Sequence, residues 1–154
     1  MLRSVTSLIL CSLVSASVFA CAGSEGPVQI VFDSFHDGDW EIFVMDADGT
    51  NVRQLTTNDD GDYTPDWSPD GKEIVFYSNR DGDAEVFVMD ADGANVRQLT
   101  TNDDGDLSPD WSSDGKEIAF NSDRYGDYEI FVMDADGTNV RQLTQKGFSP
   151  DYKP

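Results

Sequence analysis

Aligning Asp37 with Asp81 and with Tyr125 superimposes three copies of one unit at a constant offset of 44 residues. Residues 37–74 match residues 81–118 at 32 of 38 positions. A unit this short cannot bury its apolar surface alone. Fixed self-similarity in this size range therefore signals a solenoid or a propeller, in which each copy is covered by its neighbours.

Each full copy carries four short β signals. They are Tyr63-Thr-Pro-Asp-Trp67, Glu73-Ile-Val-Phe-Tyr-Ser78, Glu85-Val-Phe-Val-Met89 and Val96-Arg-Gln-Leu-Thr100, and each is followed by a Gly-bearing turn. β-branched and aromatic residues fill the strands, and the Asp-Gly pairs supply the positive φ that tight hairpins need. The second and third strands are apolar on both faces, which predicts that each sheet lies between two others. Four antiparallel strands stacked face to face describe a propeller blade. The predicted fold is all-β: a β-propeller of four-stranded blades, three repeats per chain.

The segments Pro65-Asp-Trp-Ser-Pro-Asp-Gly-Lys72, Ile74-Val-Phe76, Glu85-Val-Phe-Val-Met-Asp90 and Arg97-Gln-Leu-Thr100 resemble the TolB-type propeller repeat, which also occurs in propellers of prolyl-oligopeptidase and dipeptidyl-peptidase relatives. The resemblance covers nearly all of residues 29–152. It implies the fold and favours a six-bladed ring. It transfers little function, because one fold serves many partners.

The expected organisation is a signal peptide over 1–20, a tether over 21–27, and repeats over 28–60, 61–104 and 105–146, with 147–154 as a closing strand. The first copy begins with its second strand. Phe148-Ser-Pro-Asp-Tyr152 echoes the first strand, Leu107-Ser-Pro-Asp-Trp111, after a three-residue deletion. Three blades are fewer than a propeller usually holds. The expectation is a homodimer in which each chain's last strand completes the other's first blade and two chains make six blades.

Residues 1–20 run Met-Leu-Arg, then an apolar stretch, then small residues up to Ala20, the order of an export signal. Val18-Phe-Ala-Cys21 resembles a lipoprotein cleavage box, which makes Cys21 the expected lipidation site; ordinary cleavage after Ala20 is the competing reading. The expected location is the periplasm or cell envelope, anchored at the outer membrane. Contact with the membrane would be through the lipid alone.

The net charge is −20, with 30 Asp+Glu against 10 Lys+Arg. Such a surface repels nucleic acid and attracts basic partners or divalent cations. No catalytic residue is expected. His36 is the single histidine and stands where Arg80 and Arg124 stand in the other copies. No Gly-x-Ser-x-Gly elbow is present. The function expected is therefore non-catalytic: a propeller scaffold binding a protein or small ligand, with no cofactor. Two alternatives stay open. Ca²⁺ could bind the acidic loops, whose candidate ligands are Asp59, Asp60, Asp62, Asp103, Asp104 and Asp106, since oxygen-rich loops suit that ion. A propeller-type hydrolase or lyase could use clustered carboxylates. Trp40 is a candidate contact residue, because its counterparts are Ala84 and Tyr128 while its neighbours repeat.

Overall fold

The computed structural model describes residues 16–19 by backbone alone and residues 28–145 in full. Among these described residues twelve strands form three antiparallel four-stranded sheets. Blade 1 holds β1 (Ala16–Phe19), β2 (Gln29–His36), β3 (Asp39–Asp46) and β4 (Arg53–Gln54). Blade 2 holds β5 (Asp62–Trp67), β6 (Glu73–Ser78), β7 (Glu85–Asp90) and β8 (Arg97–Gln98). Blade 3 holds β9 (Asp106–Trp111), β10 (Glu117–Ser122), β11 (Glu129–Asp134) and β12 (Arg141–Gln142). The second and third strands of each blade pair along their whole length, while the fourth is shortened to two residues.

Both faces of the central strands are buried, as their sequence requires. Ile74, Val75 and Phe76 are each fully enclosed. Ile74, Phe76, Phe87 and Met89 of blade 2 pack against Val31, Ile42 and Val44 of blade 1. The opposite face, Val75, Val86 and Val88, packs against Ile118, Phe120, Phe131 and Met133 of blade 3. Trp67 and Trp111 each lean back onto the preceding blade and complete these two layers. Burying an indole in such a layer is worth several kcal/mol, which is why the residue recurs once per blade.

Backbone contacts latch the blades at the outer strands. Arg53 donates to the carbonyls of Ala91 and Asp92. Gly93 approaches so closely that a Cβ there would lie 2.8 Å from the Leu55 carbonyl oxygen. Gly137 meets Leu99 in the same way, at 3.1 Å. Only glycine fits both the contact and the φ of 92° and 88° at these turns.

The first strand of each complete blade bulges between Tyr63 and Asp66 or at the matching point of β9. Thr64 and Ser108 adopt positive φ there, a strained conformation for residues bearing a Cβ. The bulge turns the Thr64 amide toward blade 1, where it donates to Asp33 Oδ2 at 2.9 Å.

Blade 1 departs from the other two. The repeat leaves it without a first strand, and β1 fills that place, inside the segment with the character of a leader. The sequence of β1, Ala-Ser-Val-Phe, shares nothing with Tyr-Thr-Pro-Asp-Trp. Its pairing covers Gln29 to Phe32. Cys21 and the segment 147–154 lie outside the described residues.

Candidate functional site

The hairpins joining second to third strands, the loops after the fourth strands and the starts of the first strands all emerge at one end of the blades. Each blade is organised there around a buried carboxylate. Asp62 is fully buried and accepts from Arg80 Nη2 at 2.8 and 2.9 Å and from Asn58 Nδ2 at 2.7 Å. Arg80 Nε donates to Ser78 Oγ, and the guanidinium lies over the Phe87 ring, 4.8 Å from its centre. Asp106, Asn102, Arg124, Ser122 and Phe131 repeat the arrangement in blade 3. A charge this deep persists because it is paired and hydrogen-bonded. In blade 1 His36 takes the guanidinium's place, edge-on to Phe43 at 5.9 Å.

Below this layer sits a second carboxylate in each copy. Glu85 is buried and accepts from the Asn102 amide at 2.7 Å. Burial pushes its pKa from 4.5 up to about 7, helped by Asp106 and Asp83 and opposed by hydrogen bonds from Thr100 and Asn102. Glu41 occupies the same position in blade 1, accepts from the Thr56 hydroxyl and the Asn58 amide, and is shifted upward for the same first reason.

These networks locate the acidic residues singled out in sequence. Asp62 and Asp106 are interior anchors of loops. Asp59, Asp60 and Asp103 are exposed and Asp104 is half-buried. Among the described residues no group of three or more His, Cys, Asp or Glu side chains is arranged to hold a metal ion. His36 is exposed and its Nε2 lies 3.4 Å from Asp37 Oδ2.

Trp40 belongs to a larger set. Its ring lies 6.0 Å from Phe35 and 6.1 Å from Tyr63 of the next blade, and Tyr63 stacks on Tyr77 at 5.0 Å. Tyr128 and Tyr125 stand on the same rim in blade 3, 45% and 74% exposed; Phe35 is 58% exposed. Burial is the main cause that raises the phenol pKa of Tyr63, Tyr77 and Tyr128, in the case of Tyr77 to about 12, so the hydroxyls stay neutral donors. The near-identity of the copies makes this rim informative. Wherever one copy has an aromatic ring and another does not, the position falls here: Phe35 against Asn79 and Asp123, Trp40 and Tyr128 against Ala84, Tyr63 against Leu107, Tyr77 against Asp33 and Asn121, Tyr125 against Asp37 and Asp81. The interior, by contrast, keeps Phe at 32, 76 and 120 and at 43, 87 and 131. Single-residue inspection finds Trp40 alone; comparing the copies position by position finds the rest.

A family model of the TolB beta propeller domain matches residues 9–151. The Tol-Pal system protein TolB of Geobacter metallireducens is 48% identical over 56 residues, 35% of this chain and 13% of that protein. The structure of putative TolB from Agrobacterium tumefaciens superimposes with a TM-score of 0.70 at 31% identity, over 75% of this chain and 45% of that one. The tricorn protease shares the fold alone, at 17% identity and a TM-score of 0.61, over 87% of this chain and 13% of that one. The chain thus spans less than half the length of the relatives it matches.

Proposed function

The chain belongs to the TolB beta propeller domain family, and from that premise we propose that it is a non-catalytic cell-envelope protein that binds a protein partner on its aromatic rim. Export through the leader and lipidation at Cys21 hold it at the envelope, and two copies form the working assembly. One observation carries the reading. Copies otherwise almost invariant diverge in ring chemistry only where Phe35, Trp40, Tyr63, Tyr77, Tyr125 and Tyr128 gather. Folding alone would keep that rim as uniform as the interior. Partly exposed Trp and Tyr supply large contact area at small conformational cost, which is why they anchor interfaces. The surrounding carboxylates favour a partner with basic groups. The Geobacter relative's place in the Tol-Pal system supports an envelope setting.

The test is capture of envelope proteins by the purified chain, compared with a Trp40→Ala/Tyr128→Ala variant. The same partner should be retained by the first and lost by the second, with both still folded well above the assay temperature. Equal capture by both overturns the assignment of the rim.

A further inference from the structure

The two ends of the blades handle charge differently. Away from the rim, cations answer the carboxylates: Lys72 pairs with Asp70 and Lys116 with Asp114 at 2.7 Å, while Arg97 and Arg141 reach Glu73 and Glu117. At the rim end, the guanidinium groups of Arg80 and Arg124 are both held by the buried Asp62 and Asp106. Yet each hairpin between second and third strands carries a carboxylate at one repeat position, Asp39, Asp83 and Asp127. The ion pairs among the described residues all use other carboxylates.

Next to each of these carboxylates stands a position where the copies differ: Trp40, Ala84 and Tyr128. In blade 1 the indole has rings on both sides, Phe35 at 6.0 Å and Tyr63 at 6.1 Å. Burial first, then the charges of Asp62, Asp39 and Asp33, raise the Tyr63 pKa, which sets Asp39 within electrostatic reach of that ring. Aromatic faces beside a carboxylate attract a cation twice over, through the ring quadrupole and through the charge. The interior shows which cation such a pair of groups holds. Arg80 lies 4.8 Å from the centre of Phe87 while it pairs with Asp62, and Arg124 lies 4.6 Å from Phe131 while it pairs with Asp106.

We propose that Trp40, Tyr63 and Asp39 form a seat for an arginine side chain of the partner, its guanidinium stacking on the rings and pairing with Asp39. This rests on the protein-binding reading of the rim and names the chemistry of the occupant. Arginine suits the seat better than lysine. A planar, weakly hydrated guanidinium stacks and pairs at once, whereas an ammonium is a strongly hydrated point charge. Asp83 and Asp127 repeat the carboxylate in the next two blades; Ala84 removes the ring in one and Tyr128 restores it in the other. An extended segment bearing several basic residues therefore matches the three blades, with the Trp40 seat as its anchor. A neutral saccharide would stack on the same rings but gain nothing from the net charge of −20.

The test is calorimetric titration of the full chain with a peptide alternating arginine and glycine, and with the same peptide carrying lysine or citrulline in place of arginine. The arginine peptide should bind several-fold tighter than the lysine peptide, and about tenfold tighter than the citrulline peptide, whose side chain has the same shape without the charge. Trp40→Leu keeps apolar bulk without the indole face and should weaken binding about tenfold. Asp39→Asn should weaken it several-fold. Asp92→Asn removes the same charge from an exposed turn at the opposite end and should leave binding unchanged. Circular dichroism checks that each variant is folded. Equal weakening by Asp39→Asn and Asp92→Asn overturns the seat, because overall charge would then explain the attraction. Equal binding of the citrulline peptide overturns it too, as does binding of a neutral N-acetylglucosamine oligosaccharide in the peptide's place. An envelope protein captured through Trp40 that the arginine peptide does not displace leaves the rim a protein site and overturns the arginine alone.

Discussion

Arg80 Nη2 bridges both oxygens of Asp62, at 2.8 and 2.9 Å, with the carboxylate fully buried and the guanidinium lying across Phe87. The pair fastens the loop after β4 to the hairpin after β6, and so fixes the rim that bears Tyr63. Removing Arg80 leaves the fully buried Asp62 carboxylate without its countercharge.

Arg80→Ala should therefore destabilise the chain by about 3–5 kcal/mol, read from chemical denaturation. An Arg80→Ala/Asp62→Asn double variant should recover part of that loss, since no buried charge is left. Additive losses would show that the two residues act separately.

The tryptophans should divide into two kinds. Trp67→Ala and Trp111→Ala open a void between blades and should each cost about 3–5 kcal/mol. Trp40→Ala removes a half-buried rim residue and should cost under about 1 kcal/mol. Thermal melts of the three variants check the ranking; a Trp40 variant as unstable as the others would make it a packing residue.

Glu85 should make stability depend on pH. Its pKa rises from 4.5 to about 7 on folding, so between those values the folded state holds a proton that the unfolded state has lost. Stability is then greatest below pH 4.5 as far as this group is concerned, and falls as pH rises toward 7. The drop should be about 3 kcal/mol. Glu85→Gln keeps an acceptor for the Asn102 amide and should flatten the profile across that window; an unchanged slope would assign it to other groups.

Millimolar Ca²⁺ should leave the melting temperature unchanged, because Asp62 and Asp106 already share their oxygens with Arg and Asn donors. A saturable rise would assign the ion to the outer carboxylates Asp59, Asp60, Asp103 and Asp104.

The blade was legible in sequence because its signals are local and repeated. Glu73-Ile-Val-Phe-Tyr-Ser78 has the bounds of β6, and the recurrence of Trp67 and Trp111 located the layers between blades. The fourth strand was read too long, over Val96 to Thr100. The ladder is confined to Arg97 and Gln98, Leu99 adds one bond from its amide to the Val86 carbonyl, and Thr100 turns inward so that its hydroxyl accepts from the Val86 amide. The rim was half legible. Trp40 stood out by its own variation. Its contact with Tyr63 is made across two blades and depends on a bulge at Thr64, which no local pattern announces. The acidic loops read as oxygen-rich, but burial separates Asp62 from Asp59 and Asp60, three residues apart at most, and burial is a property of the packed blades.

The repeated seating of a leucine on a glycine has a consequence for how such a chain changes over generations. Both internal junctions use the same pair, Leu55 on Gly93 and Leu99 on Gly137, so a whole unit gained or lost by recombination between near-identical copies leaves a junction of the same shape behind it.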